Sequence, residues 1–522
     1  MNRPVAFVAA ALLVACAPEV LPVAPSLAPP PPAVAPQVAP ALPVVRATPD
    51  DPFRRSAPEG GPAVAFVAPT MRELHLRNGV RVLLVERHDL PVVAVRVVAK
   101  GGAGDLPWAP PGAASMMGSM LELGTTTRTA LEISDAYEAL GAMHAAWVDW
   151  DSGGAAIKVT TDKLDLALPV LADIVMHPSF QGEELDRLRA RSLAAIQQAK
   201  SSAQAMGAAA TAAALYGRGH AYGHALEGQA ADVEKIDRTD LARVHAVVWS
   251  PLHASVVVAG DVTLEALAKK LDAVFGAWTP PEPPPLPSRV VPREVPPPAP
   301  VARRDAPRLV VVDKPGASQS VVRCAEVGVA RAAPDHDAVA LLNAIFGGMF
   351  SSRINLNLRE VHGFTYGAHS RFDERHGAGP FVATATVKAE STAASIGELL
   401  KEVRTIRDDL VSPEELRRAK ESLKQALPAR FESVDAVTQA LSDLVVYDLP
   451  IDEYATRAAR IDRLTAEDVR KAARRHLHPR ALRVIVVGDR SRVEPLLEPL
   501  HLGAPEVRDA YGDVAAAPLV RP

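Results

Sequence analysis

The sequence predicts an α+β protein built from two tandem domains of like design, and three observations carry that prediction. Motifs in one half of the 522-residue chain recur in the same order in the other. Gly182-Glu183-Glu184-Leu185-Asp186-Arg187, then Ile236-Asp237-Arg238-Thr239-Asp240-Leu241, then the apolar run from Ala254 to Gly260-Asp261 make up the first set. Pro413-Glu414-Glu415-Leu416-Arg417-Arg418, then Ile461-Asp462-Arg463-Leu464-Thr465, then the run from Leu482 to Gly488-Asp489 answer them. The offset is roughly 230 residues, far beyond a solenoid period, so the repeating unit is a whole domain. The second observation is local: both halves open on β-branched runs, pass through helical spacings and close on an apolar run ending in Gly-Asp. The third is the placement of the 47 prolines, fifteen of which fall between Cys16 and Pro69 and twelve between Pro280 and Pro307. Folded blocks are therefore expected at 70–280 and 308–503, joined by a proline-rich linker at 281–307 and followed by a tail at 504–522.

Taken in order, Met1-Asn2-Arg3 is a basic start, and Val5 to Val14 is an apolar run too short to span a bilayer. Residues 1–15 thus read as a signal peptide. Leu13-Val14-Ala15-Cys16 resembles the lipobox of bacterial lipoproteins, which implies lipidation at Cys16; an ordinary secretory signal is the other reading. Residues 16–69, rich in Ala, Pro and Val, favour extended polyproline-type chain and read as a tether, with a proline-rich recognition ligand as the alternative. No later stretch has about 18 uninterrupted apolar residues, so a lipid would be the only membrane anchor.

Within the first block, Asn78-Gly79 between Leu74-His75-Leu76 and Val80–Val85 predicts a hairpin, and Pro91 opens a third strand through Val98. Ile133, Ala136, Tyr137 and Leu140 keep helical spacing up to Gly141, as Val339, Leu342, Ile345 and Phe346 do before Gly347-Gly348. Composition excludes other classes. A net charge of −4 gives no electrostatic support to nucleic-acid binding, and two cysteines outside any Cys-x-x-Cys pair cannot form a disulfide framework or a sulfur-rich zinc site. Cys324, between apolar residues, is expected to be a buried thiol on an early strand of the second block.

The region from about Leu74 to Gly488 resembles the insulinase/pitrilysin (M16) family of zinc peptidases, which includes mitochondrial processing peptidase and the core proteins of respiratory complex III. The matching stretches are Leu76-Arg77-Asn78-Gly79-Val80-Arg81-Val82, His220-Ala221-Tyr222-Gly223 with Gly228, Gly260-Asp261, Asp313-Lys314-Pro315-Gly316, and Gly347-Gly348-Met349-Phe350-Ser351-Ser352-Arg353 through Tyr366. The resemblance implies paired α/β-roll domains, two pairs of which close around a peptide.

Active members of that family carry His-x-x-Glu-His, whose histidines bind zinc from one helix face while the glutamate activates water. Here the stretch from Gly112 to Thr125 aligns with it, and the histidine positions fall on Ser115 and Ser119 and the base on Gly118. The distal ligand position falls on Ala195. Hydroxyls are poor zinc ligands at neutral pH, and glycine has no group to accept a proton. The chain is therefore expected to be inactive alone and to hold no cofactor. An unconventional metal site from Glu122, His220 and His224 is the competing possibility, while Met116, Met117 and Met120 are expected to pack where the metal would be.

The resemblance also assigns Arg359 and Tyr366, which match in identity and spacing a pair that grips substrate and stabilises the oxyanion across the chamber. Loss of the zinc motif with retention of this pair implies the non-catalytic subunit of a two-chain peptidase. The partners implied are a zinc-bearing M16 subunit or a second copy, a peptide substrate, and the membrane through the lipid; the location is the cell envelope, with the outer membrane favoured by Ala17 after the cysteine. A structural or peptide-binding scaffold with no catalytic role is the alternative.

Overall fold

The structure, a computed structural model, describes residues 66–280 and 308–515. The signal peptide, Cys16, nearly all of the tether and the linker lie outside the described residues.

The first block supplies β1 (Arg72–His75), β2 (Arg81–Glu86), β3 (Val92–Lys100), β4 (Met143–Val148), β5 (Ser152–Thr160) and β6 (Ala254–Gly260). The second supplies β7 (Leu309–Asp313), β8 (Gln319–Val327), β9 (Thr365–Phe372), β10 (Pro380–Lys388), β11 (Arg483–Gly488) and β12 (Glu506–Arg508). They form two six-stranded sheets, ordered β1-β2-β6-β3-β5-β4 and β12-β7-β11-β8-β10-β9. The orders superpose slot by slot. In each, the closing strand of the block enters the middle of the sheet, parallel to one neighbour (β2 or β7) and antiparallel to the other (β3 or β8). Only the outermost slot differs. β1 is the first arm of the predicted hairpin, antiparallel to β2 with Gly79 at φ +89°, whereas β12 comes from the stretch read as a tail and runs parallel to β7.

Helices cover one face of each sheet. In the first block they include α1 (Ala113–Met120), α2 (Ala130–Leu140), α3 (Leu164–Met176) and α4 (Gly182–Ala199), whereas α5 (Ala203–Tyr216) crosses to the other block. α2 shows how locally such a helix is written: Thr129 Oγ1 accepts the Glu132 amide at 3.2 Å, and Glu132 Oε2 accepts the Thr129 amide at 2.8 Å. This reciprocal cap is worth about 1 kcal/mol. Cys324 lies fully buried on β8, and burial pushes its thiol up to about 12.

The other face of each sheet is covered by the opposite block. α5 lies on the second sheet, where Met206, Ala210 and Leu215 pack with Val310, Val312, Val321 and Ile485. The helix Val434–Val446 lies on the first, where Val437, Leu441 and Leu444 pack with Leu83, Val85, Val98 and Val257. This exchange explains why the central strands read as continuous apolar runs: Val82 and Leu84 face their own helices while Leu83 and Val85 face the exchanged one. The helical run 336–361 is the one segment among the described residues with the length and apolarity of a membrane span, and 56% of its apolar window is buried, much of it in the second core.

Candidate functional site

A cavity of about 700 Å³ lies between the domains. On one side are Ser115 and Ser119 from α1 and Ala195 from α4; on the other are Arg323 from β8, Arg371 from β9 and Val382 from β10. The fold thus gathers three positions that are scattered in sequence and that the resemblance gives to metal ligands. Their chemistry does not fit a metal. Ser119 Oγ donates to the carbonyl of Ser115 at 3.1 Å, an ordinary intrahelical back-bond. Ala195 brings only a methyl group.

Gly118 is closed off more completely. A Cβ at this position would lie 2.5 Å from the Val148 amide nitrogen and 2.7 Å from the Trp147 carbonyl carbon. Helix α1 therefore rests directly on the backbone of β4, and no side chain, glutamate included, fits at Gly118, the position the resemblance gives to the base, without parting them. Met117 and Met120 are fully buried in the first core, and Met116 nearly so.

The alternative ligands are not brought together. Glu122 Oε1 accepts from His144 Nδ1 at 2.8 Å, and that ring stacks on Tyr137 with centroids 4.3 Å apart. His220 Nδ1 accepts the Tyr222 amide at 3.0 Å, and His224 Nδ1 donates to the Ala225 carbonyl at 2.8 Å. Among the described residues, no group of three or more His, Cys, Asp or Glu is placed to hold a metal ion.

Arg359 and Tyr366 stand elsewhere on the second domain and do not line the cavity. Two π-helical turns, Ala344–Gly348 and Leu356–Val361, shape the segment that carries them. Asn355 ties it together, its Nδ2 donating to the Phe350 carbonyl at 2.6 Å and its Oδ1 accepting the Ala368 amide of β9 at 3.0 Å. The bidentate bond from Arg353 to Glu415, at 2.6 and 3.0 Å, fixes its start. Burial opposes ionisation of Glu415, but Arg353 and the Ser412 amide outweigh it and bring the carboxyl down to about 2.

On this frame the Arg359 guanidinium lies 4.6 Å from the Phe350 ring centroid, with Nε 3.3 Å from Glu360 Oε1. Tyr366, at the start of edge strand β9, is 93% exposed. Phe350 and Val361 beside them in sequence are also exposed, at 69% and 73%.

The sequence reading did not single out the cationic side of the cavity. Arg323, Arg371 and Arg375 sit on strands or turns that meet only in the folded sheet, and each looks like an ordinary strand or loop arginine in sequence. Arg375 bonds Asp373 at 2.7 Å and lies 4.4 and 4.5 Å from the Trp150 and Tyr222 ring centroids.

Comparison with known proteins agrees with this architecture. The model of the insulinase family, peptidase family M16, matches residues 81–228, and that of the peptidase M16 inactive domain matches residues 235–423. An uncharacterized zinc protease of Mycobacterium bovis is 26% identical over 440 residues, covering 83% of this chain and 96% of its own. One from Streptomyces coelicolor is 25% identical over 415 residues, covering 78% and 87%. Among solved structures, a peptidase M16 inactive domain from Pseudomonas fluorescens aligns with a TM-score of 0.70 at 24% identity, over 80% of this chain and 98% of that one. A protease from Helicobacter pylori aligns at 0.71 and 20% identity, over 80% and 100%. Fold and motif order together define a metallopeptidase-like architecture, in which Ser115, Ser119 and Ala195 stand at the positions the resemblance gives to metal ligands. The chain belongs to peptidase family M16.

Proposed function

We propose that this chain is the non-catalytic subunit of a two-chain M16 peptidase, supplying Arg359 and Tyr366 to a zinc site carried by a partner. One contrast carries the reading. The base position at Gly118 has no room for a side chain, whereas Arg359 and Tyr366 sit on a braced segment with solvent-facing Phe350 and Val361. Exposed apolar side chains around two hydrogen-bond donors suit a surface that another subunit covers. Guanidinium and phenol donors aimed at a carbonyl would stabilise its developing negative charge. Lipidation at Cys16, and with it attachment to the cell envelope, belongs to the same proposal and rests on the sequence alone.

The test is reconstitution with an M16 subunit that carries an intact His-x-x-Glu-His. The pair is expected to cleave peptides and this chain alone is not. Arg359→Ala should lower kcat of the pair by ~10²-fold, and Tyr366→Phe by a smaller factor. Stoichiometric zinc and chelator-sensitive cleavage by the purified chain alone would overturn the reading, and an unchanged rate in both variants would reduce the chain to a scaffold.

A further inference from the structure

The duplicated fold contains its own control for the interdomain cavity. Sheet register makes Arg323 on β8 the counterpart of Arg96 on β3: Arg323 lies opposite Ile485 and Thr384, and Arg96 opposite Val257 and Ala156. Each points from the middle of its sheet toward the exchanged helix. Their surroundings differ. Arg96 Nη1 donates to Gln439 Oε1 at 2.5 Å, Asp435 and Asp443 on the same helix favour its charge, and the guanidinium lies 5.1 Å from the Trp147 ring centroid.

Arg323 has none of these partners. Ser202 and Ser433 cap the two exchanged helices in the same way, each accepting the amide three residues on, and this aligns Gln439 with Ala208 and Asp443 with Ala212. Both alanines line the cavity. Trp147 lies opposite Gly154 on β5, and the matching slot opposite Val382 on β10 holds Arg371. The second half therefore has another cation where the first has an aromatic face, and methyl groups where the first has an amide and a carboxylate.

Arg323 is 7% exposed, its stem runs over Gly207 of α5, and its one hydrogen bond among the described residues is from Nε to Thr211 Oγ1 at 2.9 Å. No ion pair is formed by Arg323 or Arg371 among the described residues. A buried guanidinium without a counter-ion is costly, and burial together with Arg371 brings Arg323 down to about 10. Of the other titratable groups on the wall, Arg218 pairs with Asp513, Arg375 with Asp373, Lys200 lies over Tyr511, His224 bonds the Ala225 carbonyl, and Glu227 is a carboxylate on an exposed residue.

We infer that the cavity is a binding site for an organic carboxylate, with Arg323 and Arg371 gripping the anion and the alanine-lined wall of α4 and α5 receiving a small apolar body. The ligand supplies the negative charge that Asp435 and Asp443 supply in the first half. The same group is presented by a free short-chain acid and by the C-terminus of a peptide. The inference uses this chain alone and residues other than Arg359 and Tyr366, so it stands or falls apart from the subunit reading.

The experiment is calorimetric titration of the folded chain with hexanoate, with neutral hexanamide, and with tetra-alanine bearing either a free or an amidated C-terminus. Saturable binding of hexanoate without hexanamide is expected. Arg323→Met should weaken it by at least ~10-fold, about 1.4 kcal/mol, while leaving thermal stability equal or higher because a buried unpaired charge is removed. Ala208→Glu, which introduces an internal anion, should abolish binding with Arg323 intact. The free-carboxylate peptide binding better than hexanoate would assign the site to peptide C-termini, and the reverse to free acids. If neither carboxylate binds, if the amides bind equally, or if both variants bind as the parent does, the inference is wrong.

Discussion

A Cβ atom separates Gly118 from every other residue type. The 2.5 Å approach a Cβ would make to the Val148 nitrogen is to backbone, which cannot swing aside as a side-chain tip can. Gly118→Ala should therefore destabilise the chain by ~1–3 kcal/mol, read as a lower denaturant midpoint. Ser115→Ala and Ser119→Ala, on the cavity wall, should stay within ~0.5 kcal/mol of the parent. A parent-like midpoint for Gly118→Ala would mean that α1 can lift from β4. Restoring His at 115 and 119 and Glu at 118 together is expected to lower stability without producing a chelator-sensitive peptidase. That Ser115, Ser119 and Ala195 stand at the positions the resemblance gives to metal ligands is a reading of residue identity alone. The closure of Gly118 is not, because it depends on how near a helix lies to a strand some thirty residues away.

Among the elements, the exchanged helices carry the most consequence. Leu441 on the helix Val434–Val446 is fully buried against the outer face of the first sheet. Leu441→Ala should cost ~2–5 kcal/mol and lower the unfolding midpoint of the whole described region rather than of one half. Polar contacts ring the same helix: Arg87 Nη1 donates to the Phe431 and Glu432 carbonyls at 3.0 and 2.9 Å, Lys100 pairs with Asp448, and Lys158 pairs with Asp435. The strands were legible because their apolar runs lack alternation, which signals burial on both faces. What covers the second face was not. Ala203–Tyr216 is largely alanine with no clear apolar stripe, and its packing partner lies more than a hundred residues downstream. The arginines of the cavity escaped notice for the same reason, since only the folded sheet brings Arg323 and Arg371 to one cavity wall.

For the molecule as a whole, His376 ties the two domains together at the interface. Its Nε2 donates to the Val446 carbonyl at 2.8 Å, its amide to Asp151 Oδ2 at 3.1 Å, and its Nδ1 lies 3.5 Å from Asp105; Tyr447 also donates to Asp151 at 3.1 Å. Burial opposes a charge on the ring, but Asp105, the carbonyl and Asp151 outweigh it and raise His376 to about 9. A histidine raised in the folded state contributes stability that is complete below its unfolded value near 6.5 and is lost as pH rises through about 9. The difference in melting temperature between the parent and His376→Gln should therefore be largest near neutral and mildly acid pH and shrink toward about pH 10. A pH-independent difference would remove the charged histidine from the account.

The exchange of helices also bears on ancestry. Each block, taken by itself, has a sheet face stripped of its cover and a helix whose apolar side has no sheet of its own to lie on. A one-block forerunner of this duplicated chain could bury both only by trading helices with a second copy, so gene fusion would have joined two halves of an existing swapped dimer. The two helices could then diverge separately, one keeping the groups that neutralise its arginine and the other becoming the alanine wall of a cavity.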